Sequence, residues 1–325
     1  MGSDPNFCFM GSDPMRGPTP PRPPSTPLRV RYHSPLWNKS VSGMRRFGLI
    51  ILATSMCLLP LATQAQGYIE RVLHRPVPGG VAVLGLGSGA APPKAYFKGD
   101  EVMVLREGAG QWIAVVGLDL KTPKGSTQRI VVDGEQGRRE IPFQVGSKAY
   151  ASQHIKLKNK SHVNPDPEQT RRLEREYKEQ MAAYASFRNT GPSNIILDKP
   201  VDGRLSSPFG LRRFFNGEER NSHSGLDFAV PTGTPVRAPA DGVVTIVADY
   251  FFNGKTVFLD HGQGFITMYC HLSEFQVAPG QAIKRGQIIG NVGATGRATG
   301  PHLHWNVSLN NARVDPAIFI NAFKP

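Results

Sequence analysis

Gly300 to Leu309 reads GPHLHWNVSL, and its period decides how the rest of the chain is read. From His302 onward polar and apolar residues alternate one for one. Residues two apart in a strand share a face. His302, His304, Asn306 and Ser308 then lie on one side, and Leu303, Trp305, Val307 and Leu309 on the other. The second set is an ordinary core face. The first set is polar and begins with two imidazoles side by side. On an exposed face such a pair needs no function, so it is weighed with what stands upstream.

Two further clusters change the balance. His223-Ser-Gly-Leu-Asp227 sets a histidine and a carboxylate four apart, and Tyr269-Cys-His271-Leu272 ends a β-like segment. A separation of four returns to one side in a helix or a strand, and Gly225 disfavours the helix. An imidazole nitrogen and a carboxylate oxygen are good Zn²⁺ donors. One more histidine would complete three protein ligands and leave a fourth position for water, as catalytic zinc sites do. The plain alternative is a surface histidine near an ordinary aspartate. Five of the nine histidines fall between 223 and 304, a bias that scattered surface histidines do not explain.

Upstream of the opening stretch the sequence stays β. Strands are predicted over Asp241–Ala248, Thr256–Leu259 and Gly264–Cys270, with turns at 252–255 and 261–264. The glycine-rich run Val292–Gly300 carries no lysine in a phosphate-loop pattern. One helix is predicted over 165–188. Asp166 caps it, Pro167 takes its first position and Gln169 stands three after the cap. Its apolar stripe is Leu173, Tyr177, Met181 and Tyr184. Before it, Gly80–Gly87, Glu101–Leu105, Gln111–Leu118, Arg129–Val132 and Glu140–Val145 read as short strands between Gly-containing turns, the pattern of a small sandwich. The fold expected is mainly β. It comprises a β-sandwich-like module over 67–155, a linker with a helix over 156–193, and an antiparallel sheet domain over 194–325.

The first 65 residues read differently. Met44-Arg45-Arg46 precedes an apolar run from Leu49 to Ala62 and then Thr63-Gln-Ala-Gln66. That is the order of a secretory signal peptide over 44–65, with cleavage after Ala65. The run is short for a bilayer span, so no stable membrane span is expected after its removal. Residues 1–43 are Pro-rich and contain MGSDP twice, as a disordered tail or upstream sequence would, with Met44 as the expected start. Of Cys8, Cys57 and Cys270 only the last follows the signal, so no internal disulfide is expected. Thr-Ser-Met before Cys57 is a poor context for a lipid anchor. The chain carries +13 overall, and residues 66–325 hold 31 basic against 23 acidic side chains. That balance suits solubility or an anionic partner. No nucleic-acid-binding motif accompanies it, and the signal argues against one.

These residues reach a known family. His223-x₃-Asp227, Tyr269-x-His271-Leu272 and His302-x-His304, in that order, resemble the lysostaphin-like zinc metallopeptidases that cut peptidoglycan cross-links. The surrounding HSGLDFAVPTGTPVRAPADGVV, DHGQGFITMYCHL and GQIIGNVGATGRATGPHLHW are similar too, over roughly Ser206 to Asp315. The resemblance implies Zn²⁺ held by His223, Asp227 and His304, with His271 and His302 as the catalytic histidines. It also implies that Tyr269 can support an oxyanion. His261, in its His-Gly-Gln-Gly turn, reads as structural and Cys270 as core. Asn306 departs from the acidic residue common in relatives. Arg212, Arg213, Arg220 and Arg297 are candidates for meeting substrate carboxylates.

The resemblance and the signal together imply an exported endopeptidase of the cell envelope, periplasmic or secreted. It would act on peptidoglycan peptide stems, at D-alanyl–diaminopimelate bonds where cross-bridge glycines are few. The alternative is a catalytically silent, wall-binding activator of a separate amidase; relatives of that kind have lost ligands, whereas all five positions stand here. Domain order raises a further expectation, that the N-terminal module covers the groove with residues 214–222 as a flanking loop.

Overall fold

The computed structural model describes residues 67–108, 110–156 and 166–324. The tail, the signal segment, Cys8 and Cys57 lie outside the described residues. After a short helix α1 (Tyr68–Leu73) come β1 (Val81–Ser88), β2 (Lys94–Phe97), β3 (Asp100–Glu101), β4 (Met103–Glu107), β5 (Gln111–Gly117), β6 (Thr127–Gly134) and β7 (Gly137–Gln144). Then follow β8 (Ser152–Ile155), helix α2 (Pro167–Tyr184), β9 (Arg204–Ser207), β10 (Arg212–Phe215), β11 (Glu218–Arg220), β12 (Leu226–Ala229) and β13 (Pro235–Arg237). The chain ends with β14 (Gly242–Tyr250), β15 (Gly254–Asp260), β16 (Ile266–Phe275), β17 (Ala282–Ile283), β18 (Ile288–Val292), β19 (Leu303–Leu309) and β20 (Ala312–Val314).

The N-terminal strands make two facing sheets, β1-β5-β4 and β3-β2-β6-β7. Ala82, Leu86, Ala114, Val116 and Val104 of the first meet Ala95, Phe97, Ile130, Val132 and Phe143 of the second. The other face of the first sheet is buried as well. Val81, Val83, Met103, Ile113 and Val115 pack into the same core as Leu226, Phe228, Leu303 and Trp305 of the C-terminal sheet. This explains the unbroken apolar runs Val81-Ala-Val and Ile113-Ala-Val-Val: strands covered on both faces do not alternate. The sheet β1-β5-β4 and the C-terminal sheet therefore share one core.

Gly117 marks the closest approach between them. A Cβ there would stand 2.8 Å from both Cβ and the carbonyl oxygen of Leu309. Its N–H donates to Asn310 Oδ1 at 2.7 Å, and Asn310 Nδ2 donates back to its carbonyl at 3.1 Å. Gly117→Ala is expected to destabilise the chain by about 1–3 kcal/mol through overpacking. A urea midpoint equal to that of the parent chain would show that this contact can relax.

The C-terminal sheet runs β17-β14-β15-β16-β19-β12-β9, with β13, β18 and β20 joined to it. The predicted strands all lie in it. Helix α2 has the predicted cap: Asp166 accepts from the N–H groups of Glu168 and Gln169, and Gln169 accepts from the Asp166 N–H. It stops at Tyr184, short of 188, because Arg188 is drawn onto buried Asp260, its Nε 2.8 Å from Oδ2. Its buried face is also rotated from the expected stripe. Leu173 and Tyr184 are buried, but so are Glu176 and Gln180, while Tyr177 is only half-buried. Both polar groups have partners in one loop: Glu176 Oε2 accepts the Phe251 N–H at 3.0 Å, and Gln180 Oε1 accepts from Asn253 Nδ2 at 2.9 Å. A buried polar group is tolerated when it is hydrogen-bonded. Among the described residues no helix is long and apolar enough to cross a membrane.

Candidate metal centre and cleft

Register brings the first ligand pair together. β19 lies between β16 and β12, with His304 opposite Asp227 on one side and Cys270 on the other. His304 Nδ1 stands 2.8 Å from Asp227 Oδ1. His223 arrives on an extended segment whose backbone is tied at both groups: its N–H donates to Leu211 O, and its carbonyl accepts from the Gly210 N–H. His223 Nε2 then sits 3.0 Å from Asp227 Oδ1 and 3.0 Å from His304 Nδ1. Gly225 is needed for this approach, since a Cβ would meet Trp305 O at 2.4 Å and His304 Cε1 at 2.9 Å.

The protonation pattern tests whether a metal fits. His223 Nδ1–H donates to Pro208 O at 2.7 Å, which leaves Nε2 as a bare lone pair when the ring is neutral. The ring is neutral, because burial lowers its pKa to about 4 despite the nearby carboxylate. Burial would raise Asp227, but its contacts with the His223 and His304 rings outweigh it and hold the carboxyl well below its usual range. A lone pair and a carboxylate oxygen, both acceptors, thus face each other at 3.0 Å. Such acceptors call for a cation between them. Two imidazole nitrogens and one carboxylate oxygen are the donor set that suits Zn²⁺. The three donor atoms lie within 4.8 Å of one another.

His271 reaches the cleft by breaking the strand's alternation. Regular pleating would send it to the Tyr269 side, away from His304. Instead its φ is 62°, and the pairing of β15 with β16 shifts register around it. A non-glycine residue in this region is strained and must be held by its surroundings. The His271 N–H donates to Asn253 O at 2.9 Å, and Nδ1–H to Thr295 O at 2.8 Å. Gly254 and Gly296 admit Thr295 there: a Cβ on Gly254 would lie 2.4 Å from the Thr295 carbonyl carbon. Asn253 is the residue tied to Gln180, so α2 buttresses the loop that holds His271. His302 Nδ1–H likewise donates to Gly300 O at 2.8 Å. Both rings are thereby oriented with Nε2 as the remaining acceptor. Their centroids are 4.7 Å apart, and His271 lies 6.1 Å from His304. Burial, with the neighbouring His302 and His304, lowers the His271 pKa to about 3.

Tyr269 does not join this group, contrary to the expectation that it supports an oxyanion. It pairs with Trp305 on the core face, fully buried. Its hydroxyl donates to Thr267 at 2.9 Å, Thr267 donates to His261 Nε2 at 2.8 Å, and His261 Nδ1–H donates to Asp241 O at 2.7 Å. His261 is thus structural, as expected. Cys270 is buried and free. It shares a side with His304 but packs with Tyr184, Phe258 and Met268.

His261 carries a pH dependence. Burial lowers its pKa to about 4 from 6.5. The unfolded chain therefore binds more protons, so this stability is complete above pH 6.5 and is lost as pH falls toward 4. At pH 5 the loss from His261 alone is about 2 kcal/mol. Urea unfolding of the metal-free chain is expected to show a clearly lower midpoint at pH 5 than at pH 7. Equal midpoints would mean that the buried rings take up protons without penalty.

The five predicted residues are thus together, four of them at the floor of an open cleft of ≈ 330 Å³ and His223 buried behind it. Arg213 and Arg297 line it too. Arg213 Nη2 stands 3.4 Å from Asp227 Oδ2, and the Arg297 guanidinium lies 4.0 Å from the Phe252 ring centroid. Arg212 does not line it; its guanidinium lies over Phe214. The Arg220 side chain lies outside the described residues. Sequence reading missed Gln153, Ser206, Ser207 and Thr299, which also line the cleft. Residues 214–220, expected as a loop, belong to the β10–β11 hairpin, which continues onto β8.

Comparison with known proteins agrees with this arrangement. Residues 221–316 match Peptidase family M23, and residues 74–148 match the Peptidase family M23 N-terminal domain. A crystal structure of a Pseudomonas aeruginosa protein assigned to peptidase M23 is 54% identical. It covers 79% of this chain and 100% of its own, with a TM-score of 0.68. The DD-carboxypeptidase/endopeptidase Mpg of Neisseria meningitidis is 46% identical over 113 residues, 35% of this chain and 26% of the relative. The peptidoglycan DD-endopeptidase ShyA of Vibrio cholerae is 44% identical over 119 residues, 36% and 28% respectively. The matched stretch thus spans about a quarter of the length of these curated relatives.

Proposed function

Since the chain belongs to peptidase family M23, we propose that it is an exported zinc metalloendopeptidase that hydrolyses peptide cross-links of bacterial peptidoglycan. The observation that carries this reading is the convergence of His223 Nε2, Asp227 Oδ1 and His304 Nδ1 within 3.0 Å at a cleft that also presents His271 and His302. When bound by these three residues, Zn²⁺ supplies a Lewis acid that makes water nucleophilic near neutral pH. The chain's own groups supply the proton handling. His271 and His302 each offer Nε2 as an acceptor on the cleft side, and each is fixed in that tautomer by its bond to a backbone carbonyl. One accepts the proton of the attacking water; a protonated ring then stabilises the tetrahedral oxyanion and returns a proton to the leaving amine.

Arg297, stacked on Phe252, presents a charge suited to a stem-peptide carboxylate. That preference supports D-alanyl–diaminopimelate bonds as the substrate. The signal order at 44–65 supports action in the cell envelope. The test is digestion of purified sacculi of defined chemistry with mass analysis of the released muropeptides, beside metal analysis of the purified chain. Release of D-alanyl–diaminopimelate cleavage products by a zinc-loaded chain is expected. A chain that takes up zinc and leaves every cross-link intact would refute the activity. In that case the silent-activator reading would take its place.

A further inference from the structure

Helix α2 belongs to neither matched stretch: these cover residues 74–148 and 221–316, and the helix runs Pro167–Tyr184. It nevertheless grips one tight turn of the C-terminal sheet, Phe251 to Asn253 between β14 and β15. Arg172 Nη2 donates to Asp249 O at 2.9 Å, and its Nε to Glu176 Oε1 at 2.6 Å. Glu176 accepts the Phe251 N–H, and Gln180 Oε1 accepts from Asn253 Nδ2 at 2.9 Å. Glu176, Gln180 and Asn253 are only 8%, 3% and 7% exposed. An apolar stripe alone seats a helix on a sheet, and Ala183 and Tyr184 do this against Ile246, Phe258 and Met268. Hydrogen bonds add direction, and here they fix which way the backbone groups of the turn point.

Two of those backbone groups carry the site. Asn253 O accepts the His271 N–H at 2.9 Å, and Phe252 O accepts the Arg297 N–H at 2.8 Å. His271 needs the hold, because it sits at φ 62° and such strain persists only where the surroundings impose it. Released, the residue relaxes toward ordinary strand geometry, which turns its ring to the side of Tyr269 and away from His302. We propose that Gln180 is a positioning residue for His271, acting through Asn253, so that α2 is part of the catalytic apparatus and more than a connector. This rests on the peptidase reading above, in which His271 handles protons. None of the residues lining the cleft belongs to α2, so the effect of the helix passes through the turn.

The test uses the full zinc-loaded chain with ¹⁵N-labelled histidine, and a cross-linked muropeptide dimer as substrate. Gln180→Leu fills the same space without an oxygen. It is expected to keep its zinc and to lose at least about tenfold in kcat, since misplacing a reacting group by about 1 Å costs up to about 10²-fold. In the His271→Ala background the same substitution is expected to change kcat by less than about twofold, because residues that act as one unit are not additive. A general loss of folded chain would slow both backgrounds alike. The proton on His271 Nδ1, bonded to Thr295 O, is expected to give a slowly exchanging signal in the parent chain, assigned by its loss in His271→Ala. Gln180→Leu is expected to broaden that signal beyond detection. Asn253→Ser breaks the same bond from the other end and is expected to reproduce all three results, including where Gln180→Leu does not fold. Parental kcat in Gln180→Leu, equal slowing in the His271→Ala background, or an unchanged ring signal would overturn this proposal alone. A zinc-loaded parent that leaves the dimer intact would instead remove the peptidase reading, and the ring signal would then decide by itself whether α2 holds His271.

Discussion

His304→Ala is expected to abolish metal uptake and to lower sacculus digestion by about 10³-fold or more. His304 stands on β19 between two strands, with Asp227 opposite it on β12 and Cys270 on β16. Its Nδ1 closes the triangle with His223 Nε2 and Asp227 Oδ1. Two remaining donors hold a divalent ion poorly, because each of three contributes to one tetrahedral geometry. The fold should survive, since the core face of β19 is Leu303, Trp305, Val307 and Leu309, none of which is changed. The measurements are zinc content after dialysis, far-ultraviolet circular dichroism, and muropeptide release. A His304→Ala chain that keeps a stoichiometric metal would show that another donor set holds it.

His271→Ala and His302→Ala are expected to behave in the opposite way. Each should retain its zinc and lose about 10²–10⁴-fold in kcat, the range of a removed general acid or base. Neither ring belongs to the three-atom donor cluster. Both are oriented toward the cleft by backbone carbonyls, of Thr295 and Gly300. His271→Ala keeps a Cβ at φ 62°, so the backbone strain stays, and its stability should fall only by the packing and the Thr295 bond it gives up. Zinc analysis beside kcat separates these variants from His304→Ala. Retention of most activity by either single variant would remove that ring from the proton transfers.

Much of the site was legible because strands obey a period of two. His302 and His304 share a face in the sequence pattern as they do in β19, and Asp227 needed only to stand on the strand next to it. The caps of α2 were legible for a similar reason, since Asp166, Pro167 and Gln169 act on their own backbone. Tyr269 was misjudged. A period of two would keep it on the side of His271 in a regular strand, and the bulge at His271 separates them. Nothing in Tyr-Cys-His-Leu announces a positive φ at a histidine. The cause lies in Asn253 and Thr295, whose carbonyls hold it. Gln153 was illegible for a stronger reason, since its neighbours in the cleft are distant in the chain and joined to it only through the parallel pairing of β8 with β10.

The sequence by itself determined the β architecture, the helix start, the five residues at the cleft and its floor, and the chemistry that two imidazoles and a carboxylate can offer. The elements and the donor chemistry are consequences of local periodicity and residue type, whereas the full set of five came from the resemblance to the lysostaphin-like family. Only the tertiary structure decided which ring nitrogen faces the cleft, which side of β16 His271 takes, and that Val81 to Val83 and Ile113 to Val115 belong to the core of the C-terminal sheet. It also decided that Arg213 overlooks Asp227. Each of these depends on hydrogen bonds and packing between segments far apart in the chain, and no local pattern encodes a partner that lies elsewhere.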